Sequence, residues 1–156
     1  MRHLILACSL LSISLLAGCG SGGGASDKDA GYTALQDGEY ADAVAHLDKG
    51  LADPAASAED QLEMAVARCQ ALAHIDADKC KADFLAIGST VTAKDFSLVV
   101  ADLVTEEKFL EAIDLLEAGV NRFAENPKME QLKKLVITAS QEDPEANAKL
   151  KGLGYI

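Results

Sequence analysis

The pattern of apolar residues predicts an all-α fold: a short stack of antiparallel helix pairs, about three units long, closed by a C-terminal capping helix. Three observations carry this. Apolar residues recur every three or four positions in segment after segment, which is the period of an amphipathic helix rather than a strand. The 49% hydrophobic share rests on Ala, Leu and Val, with aromatics at 4% and no Trp, a mix that favours helices. Two offsets also coincide, because Tyr40 to Phe109 and Ala43 to Ala112 are each 69 residues, about twice a 34-residue unit.

The chain begins with a different kind of segment. Met1-Arg2-His3 is a short basic start, and Leu4 to Ala17 is apolar apart from Cys8, Ser9, Ser12 and Ser14. That is the shape of a secretion signal, too short to cross a bilayer comfortably, where about 20 apolar residues are needed. It ends in Leu16-Ala17-Gly18-Cys19, which resembles the lipobox of bacterial lipoproteins. The resemblance implies removal of residues 1–18 and a diacylglycerol thioether on Cys19, the new amine being acylated as well. Two or more chains, at about 0.8 kcal/mol per buried methylene, hold a protein stably on a membrane. The alternative is an ordinary signal with an incidental Cys. Gly20 stands where an enterobacterial retention signal would have Asp, so the resemblance leans toward the outer membrane, with the chain on the periplasmic face of the cell envelope. Residues 19–29, with Gly20 to Ser26 reading Gly-Ser-Gly-Gly-Gly-Ala-Ser, form the lipidated Cys and a flexible tether. The helical domain is then expected over 30–156.

In the first unit a break falls at Gln36-Asp37-Gly38, where Gly suits an interhelical turn. Tyr40, Ala43, Val44, Leu47 and Leu51 form the stripe that follows, and Pro54 stops it. These residues resemble the tetratricopeptide repeat: Gly31 at the small position of the first helix, Gly38-Glu39-Tyr40 at the turn, Ala43 and Gly50 at later small positions, and Pro54 at the end, with Ala34 departing from the aromatic usual there. A second copy has Phe96, Val99 and Leu103, a turn at Glu106-Glu107-Lys108, and Phe109, Ala112, Ile113, Leu116, Val120 and Phe123 before Pro127. Between them, Leu62, Ala65, Val66, Cys69, Leu72 and Ala73 mark one helix, and Cys80, Phe84 and Ile87 another across a turn near Asp76, without the repeat's aromatic-then-Ala pattern. Beyond Lys128, a stripe of Met129, Leu132, Leu135, Val136 and Ala139 predicts a helix. Asp143-Pro144-Glu145 starts a last short one, after which Leu150, Leu153, Tyr155 and Ile156 fold back as a cap.

The resemblance implies a right-handed α-solenoid whose inner helices line a groove for another protein or peptide segment. Lys28, Tyr32, Leu35 and Gln36 of the first unit and Lys94, Ser97, Ala101, Val104 and Thr105 of the last would face it. The apolar ones among them are equally suited to core or cap.

Of the four Cys, Cys69 and Cys80 remain once Cys8 and Cys19 are assigned. Export would place them in an oxidising space. Both lie on apolar helix faces, so a Cys69–Cys80 disulfide is expected, closing a loop of about 12 residues and contributing roughly 3 kcal/mol. Two buried free thiols are the alternative. No metal is expected, since Cys69, His74, Asp76, Asp78 and Cys80 lack any ligand spacing. Lone His46 and His74 read as structural or solvated.

The formal charge is −11, from 14 Lys plus Arg against 25 Asp plus Glu. Such a chain is a poor match for a phosphate backbone, which excludes nucleic acid as an expected partner. No catalytic motif, phosphate loop or dinucleotide fingerprint occurs, so no cofactor beyond the covalent lipid and no catalytic residue is expected. The carboxylates are expected on outer faces, unburied. A non-catalytic, membrane-tethered scaffold or adaptor is the leading expectation, with a structural subunit of an envelope assembly or an envelope enzyme with a carboxylate-based site as alternatives.

Overall fold

A computed structural model describes residues 23–156, with side chains from Ser26 onward. The signal, the lipobox and Cys19 therefore lie outside the described residues. Among the described residues the chain is all-helical, with eight α-helices and no strand: α1 Gly23–Gln36, α2 Tyr40–Leu51, α3 Ala58–Ile75, α4 Ala77–Ile87, α5 Ala93–Thr105, α6 Phe109–Arg122, α7 Pro127–Ala139 and α8 Pro144–Gly152. A 3₁₀ turn, Gly88–Thr90, links α4 to α5.

Local sequence sets the boundaries. α1 ends in a left-handed cap at Gly38 (φ 78°), with the Glu39 N–H donating to the Ala34 carbonyl at 2.8 Å and the Gly38 N–H to Leu35 at 3.3 Å. The same motif closes α5 sixty-nine residues on: Lys108 N–H to Leu103 at 2.8 Å, Glu107 N–H to Val104 at 3.1 Å, and Glu107 at φ 57°. It closes α8 as well, where Tyr155 N–H donates to Leu150 at 3.0 Å beside Gly154 at φ 71°. At the other ends, Ser57, Thr92 and Asp143 accept from Asp60, Asp95 and Ala146 N–H as N-caps of α3, α5 and α8. Pro127 and Pro144 open α7 and α8, where a missing N–H costs nothing. The middle pair uses another device: Asp76 alone ends α3 and caps α4, its carboxylate accepting from the Lys79 N–H at 3.0 Å.

The helices pack in pairs laid one after another. α1 packs on α2 and α3, α3 on α5 and α5 on α7, so the odd-numbered helices form one layer. Of the even-numbered helices, α4 packs on α6 and α6 on α8, while α2 fills the angle between α1 and α3. Several cross-helix bonds join residues of similar separation: Lys28 to Asp60, Gln70 to Asp102 and His74 to Glu106 each span 32 residues, and Lys81 to Asp114 spans 33.

Burial follows the stripes. The main core runs from α3 to α8 through Cys80, Phe84, Phe96, Val99, Leu103, Ile113, Leu116, Met129, Val136 and Leu150, with Phe84 edge-on to Phe96 at 4.9 Å. A fully buried Leu or Phe contributes about 1.5–3 kcal/mol. The first pair closes over two smaller clusters, Ala34, Ala43 and Ala71, and Leu47, Met64 and Ala67. There the helices cross closely because Gly31 has no side chain; a Cβ on it would lie 2.6 Å from Leu47 Cγ.

Several expectations change. The helical domain includes residues 23–29, read above as tether, because α1 starts at Gly23 and Lys28 is tied to α3. Leu135, Ala139 and Ile156, expected in the packed stripes, are exposed: Leu135 and Ala139 lie at the flank of α7's buried side, and Ile156 falls past the last capped residue.

Candidate functional site

The residues expected to line a groove sit on two helices of the odd layer, α1 and α5, with α3 between them, and their surroundings differ. On α1, Lys28 is tied down: its Nζ is 2.5 Å from both Asp60 Oδ1 and Glu63 Oε2 of α3. Those two bonds, first Asp60's and then Glu63's, push its ammonium well above the usual lysine range, and Lys28 in turn holds the Asp60 carboxyl below its ordinary value. Tyr32 and Leu35 are half-buried against Leu47, Met64 and Ala67, where desolvation followed by the charge of Glu63 raises the Tyr32 phenol. Of the four, Gln36 alone is exposed. The α1–α3 seam is thus closed by its own side chains.

The α5 residues look outward. Lys94 and Thr105 are exposed, and Ser97, Ala101 and Val104 are half-buried, with Val104 packed on the core. The Ser97 and Thr105 hydroxyls donate to the carbonyls of Ala93 and Ala101 one turn back, both at 2.9 Å. Between α5 and α7 lies a shallow open cleft of about 200 Å³, lined by Ser97, Lys128, Gln131, Leu132 and Leu135. Lys128, Gln131 and Leu135 were not anticipated from sequence. The unit length could have found them, since 34 residues added to Lys94, Ser97 and Ala101 gives Lys128, Gln131 and Leu135. Leu135 remains 42% exposed and Leu98, on the outward side of α5, 38%. A wider cleft of about 490 Å³, bounded by Glu107, Phe109, Thr138, Gln141, Glu142 and Pro144 among others, opens where α6 and α8 begin.

A polar chain crosses the seams behind these faces. The Tyr40 ring stacks on His74 with centroids 3.8 Å apart and planes 1° from parallel, and His74 Nδ1 lies 2.8 Å from Glu106 Oε1. One turn back, the Gln70 amide donates to Asp102 at 2.9 Å. His74 is therefore packed into the stack rather than solvated, and Glu106 is not a free surface carboxylate. Asp102 also departs from the expectation of unburied carboxylates: desolvation raises it, and the Gln70 bond offsets part of that. Neither cleft above is lined by it.

Cys69 and Cys80 are buried, free thiols in the structure, so the expected bridge is not formed in it. Each packs into the core from its own helix, and desolvation pushes the Cys69 thiol up to about 12 and the Cys80 thiol well above its ordinary value.

Among the described residues no cluster of three or more His, Cys, Asp or Glu side chains is disposed to hold a metal ion, and no helix is long and apolar enough to cross a membrane. No known protein family, no curated protein and no solved structure matches the chain.

Proposed function

We propose that this chain is a non-catalytic interaction scaffold of a bacterial cell envelope, held on a membrane through lipid on Cys19 and presenting a tetratricopeptide-repeat-like stack to a partner protein. The observation that carries the reading is the open α5–α7 cleft, lined by Ser97 of α5 and by Lys128, Gln131, Leu132 and Leu135 of α7. The twin left-handed caps at Gly38 and Glu107, 69 residues apart, and the close crossing at Gly31 support a true repeat. The Leu16-Ala17-Gly18-Cys19 sequence supports the anchor, and the outer membrane is the leaflet's expected home.

The test is crosslinking in cells followed by mass spectrometry, with the natural chain, with Cys19→Ser and with Leu135→Glu. The scaffold reading expects one recurrent protein partner, lost in Leu135→Glu, and loss of membrane association with Cys19→Ser. A soluble activity that survives both substitutions, with no recurrent partner, would overturn it.

A further inference from the structure

The two ends of the odd-helix layer carry opposite charge at matching positions. Advancing Asp60 and Glu63 by one 34-residue unit gives Lys94 and Ser97, and a second step gives Lys128 and Gln131. In the α1–α3 seam the carboxylates of Asp60 and Glu63, three residues apart on one helix, hold Lys28. In the α5–α7 seam those carboxylates are replaced by lysine, serine and glutamine. Lys94 and Lys128 are exposed and have no ion-pair partner among the described residues. Their acidic chain neighbours are engaged elsewhere: Asp95 accepts from the Thr92 N–H and hydroxyl, and Glu130 lies 3.8 Å from Lys133. Leu98 and Leu135 are exposed on the same two helices.

We propose that the α5–α7 face docks an acidic amphipathic helix of a partner protein, with carboxylates about one turn apart meeting Lys94 and Lys128 and an apolar side chain covering Leu135. The proposal rests on the scaffold reading and adds the chemistry of the partner. The molecule supplies the template, since its own answer to a lysine in this layer is a pair of carboxylates on one helical face. The cleft suits this occupant in size: about 200 Å³ takes one or two side chains, whereas small-ligand sites run to about 300–1,000 Å³. On a chain of net charge −11, two unpaired lysines beside exposed leucines offer an acidic segment a place free of a facing ion pair.

The probe is an acetylated, fluorescein-labelled peptide with the sequence of residues 57–68, which carries Asp60, Leu62 and Glu63 and its own Ser57 cap. Anisotropy titrations use the full chain. The acidic peptide should bind, weakening about tenfold for the Lys94→Glu/Lys128→Glu double variant and again as salt rises, because exposed charges are screened over about 8 Å at physiological ionic strength. The Lys94→Arg/Lys128→Arg variant should keep binding, and circular dichroism confirms that the variants fold. Equal binding of a peptide with Lys in place of Asp60 and Glu63, indifference to the double reversal, or no binding at millimolar peptide would overturn the proposal. So would a dimer of the chain itself that dissociates in Leu135→Glu, since a second copy would then own the face. The two readings fail separately: a cellular partner that depends on Leu135 but survives Lys94→Glu/Lys128→Glu leaves the scaffold standing and removes the acidic helix.

Discussion

The α1–α3 and α5–α7 seams both join neighbouring helices of the odd layer, yet side chains bridge the first and a shallow cleft runs along the second. In the first, Lys28 reaches two carboxylates of the neighbouring helix, Tyr32 and Leu35 fold over Leu47 and Met64, and Gly31 lets α1 sit tightly against α2. In the second, Lys128 and Gln131 border a cleft and Leu135 stands out of it. The difference lies in a few side chains: a lysine with two carboxylates across the first seam, and a lysine, a glutamine and an exposed leucine along the second.

The largest expected contrast is between two leucines three residues apart on α7. Leu132 is 4% exposed and Leu135 is 42% exposed. Leu132→Ala should lose about 2–5 kcal/mol of unfolding free energy in urea, and Leu135→Ala should stay within about 0.5 kcal/mol. Equal losses would mean that the second seam is as closed as the first.

The tight crossing gives the next effect. Gly31→Ala places a Cβ 2.6 Å from the branching carbon of Leu47, so overpacking of about 1–3 kcal/mol should outweigh the roughly 1 kcal/mol of helix propensity gained. At Gly119 the contacts are longer, the Met129 sulfur at 3.0 Å and the buried Phe96 ring at 3.1 Å, and the same substitution should cost less than at Gly31. Thermal midpoints of the two variants measure the difference directly.

Charge effects come last and carry opposite signs. Asp60 has a depressed folded pKa, so the stability it contributes is present above its unfolded pKa near 3.8 and is lost as pH falls through the lower folded value. Lys28→Met should therefore flatten the acid limb of the stability curve. Asp102 is raised, so its ionised form is disfavoured in the fold; its contribution is present below the unfolded pKa and lost as pH rises through the folded one. Asp102→Asn keeps an acceptor for Gln70 and should leave the chain at least as stable at pH 7, the advantage fading as pH falls through the raised value. A variant weaker than the natural chain at pH 7 would mean that the ionised carboxylate holds the seam.

Sequence made the local punctuation legible. Gly38, the Asp143-Pro144 start and the 69-residue offset each report a backbone requirement that a few neighbouring residues satisfy by themselves. What escaped depended on partners far along the chain. The Gly-rich stretch before Lys28 reads as tether by composition, and only Asp60 and Glu63, more than thirty residues away, tie Lys28 down. Asp102 looks like any surface carboxylate until Gln70 and the neighbouring helix cover it. Leu135 belongs to an apolar stripe by spacing, and it stays exposed because it lies at the open α5–α7 cleft, which α5 does not fill. Of the residues assigned to the groove, Ser97 alone of those on α5 lines the open cleft, Val104 packs on the core, and three of the four on α1 are occupied within the fold.

The measurement that bears most directly on the contrast between the seams is photo-crosslinking in cells from two exposed glutamines, Gln131 in the second seam and Gln36 at the end of α1, each replaced by a benzophenone amino acid. A discrete protein adduct from position 131 and none from position 36 is the predicted result. An adduct from position 36 with none from position 131 would contradict the assignment of the α5–α7 seam as the contact face.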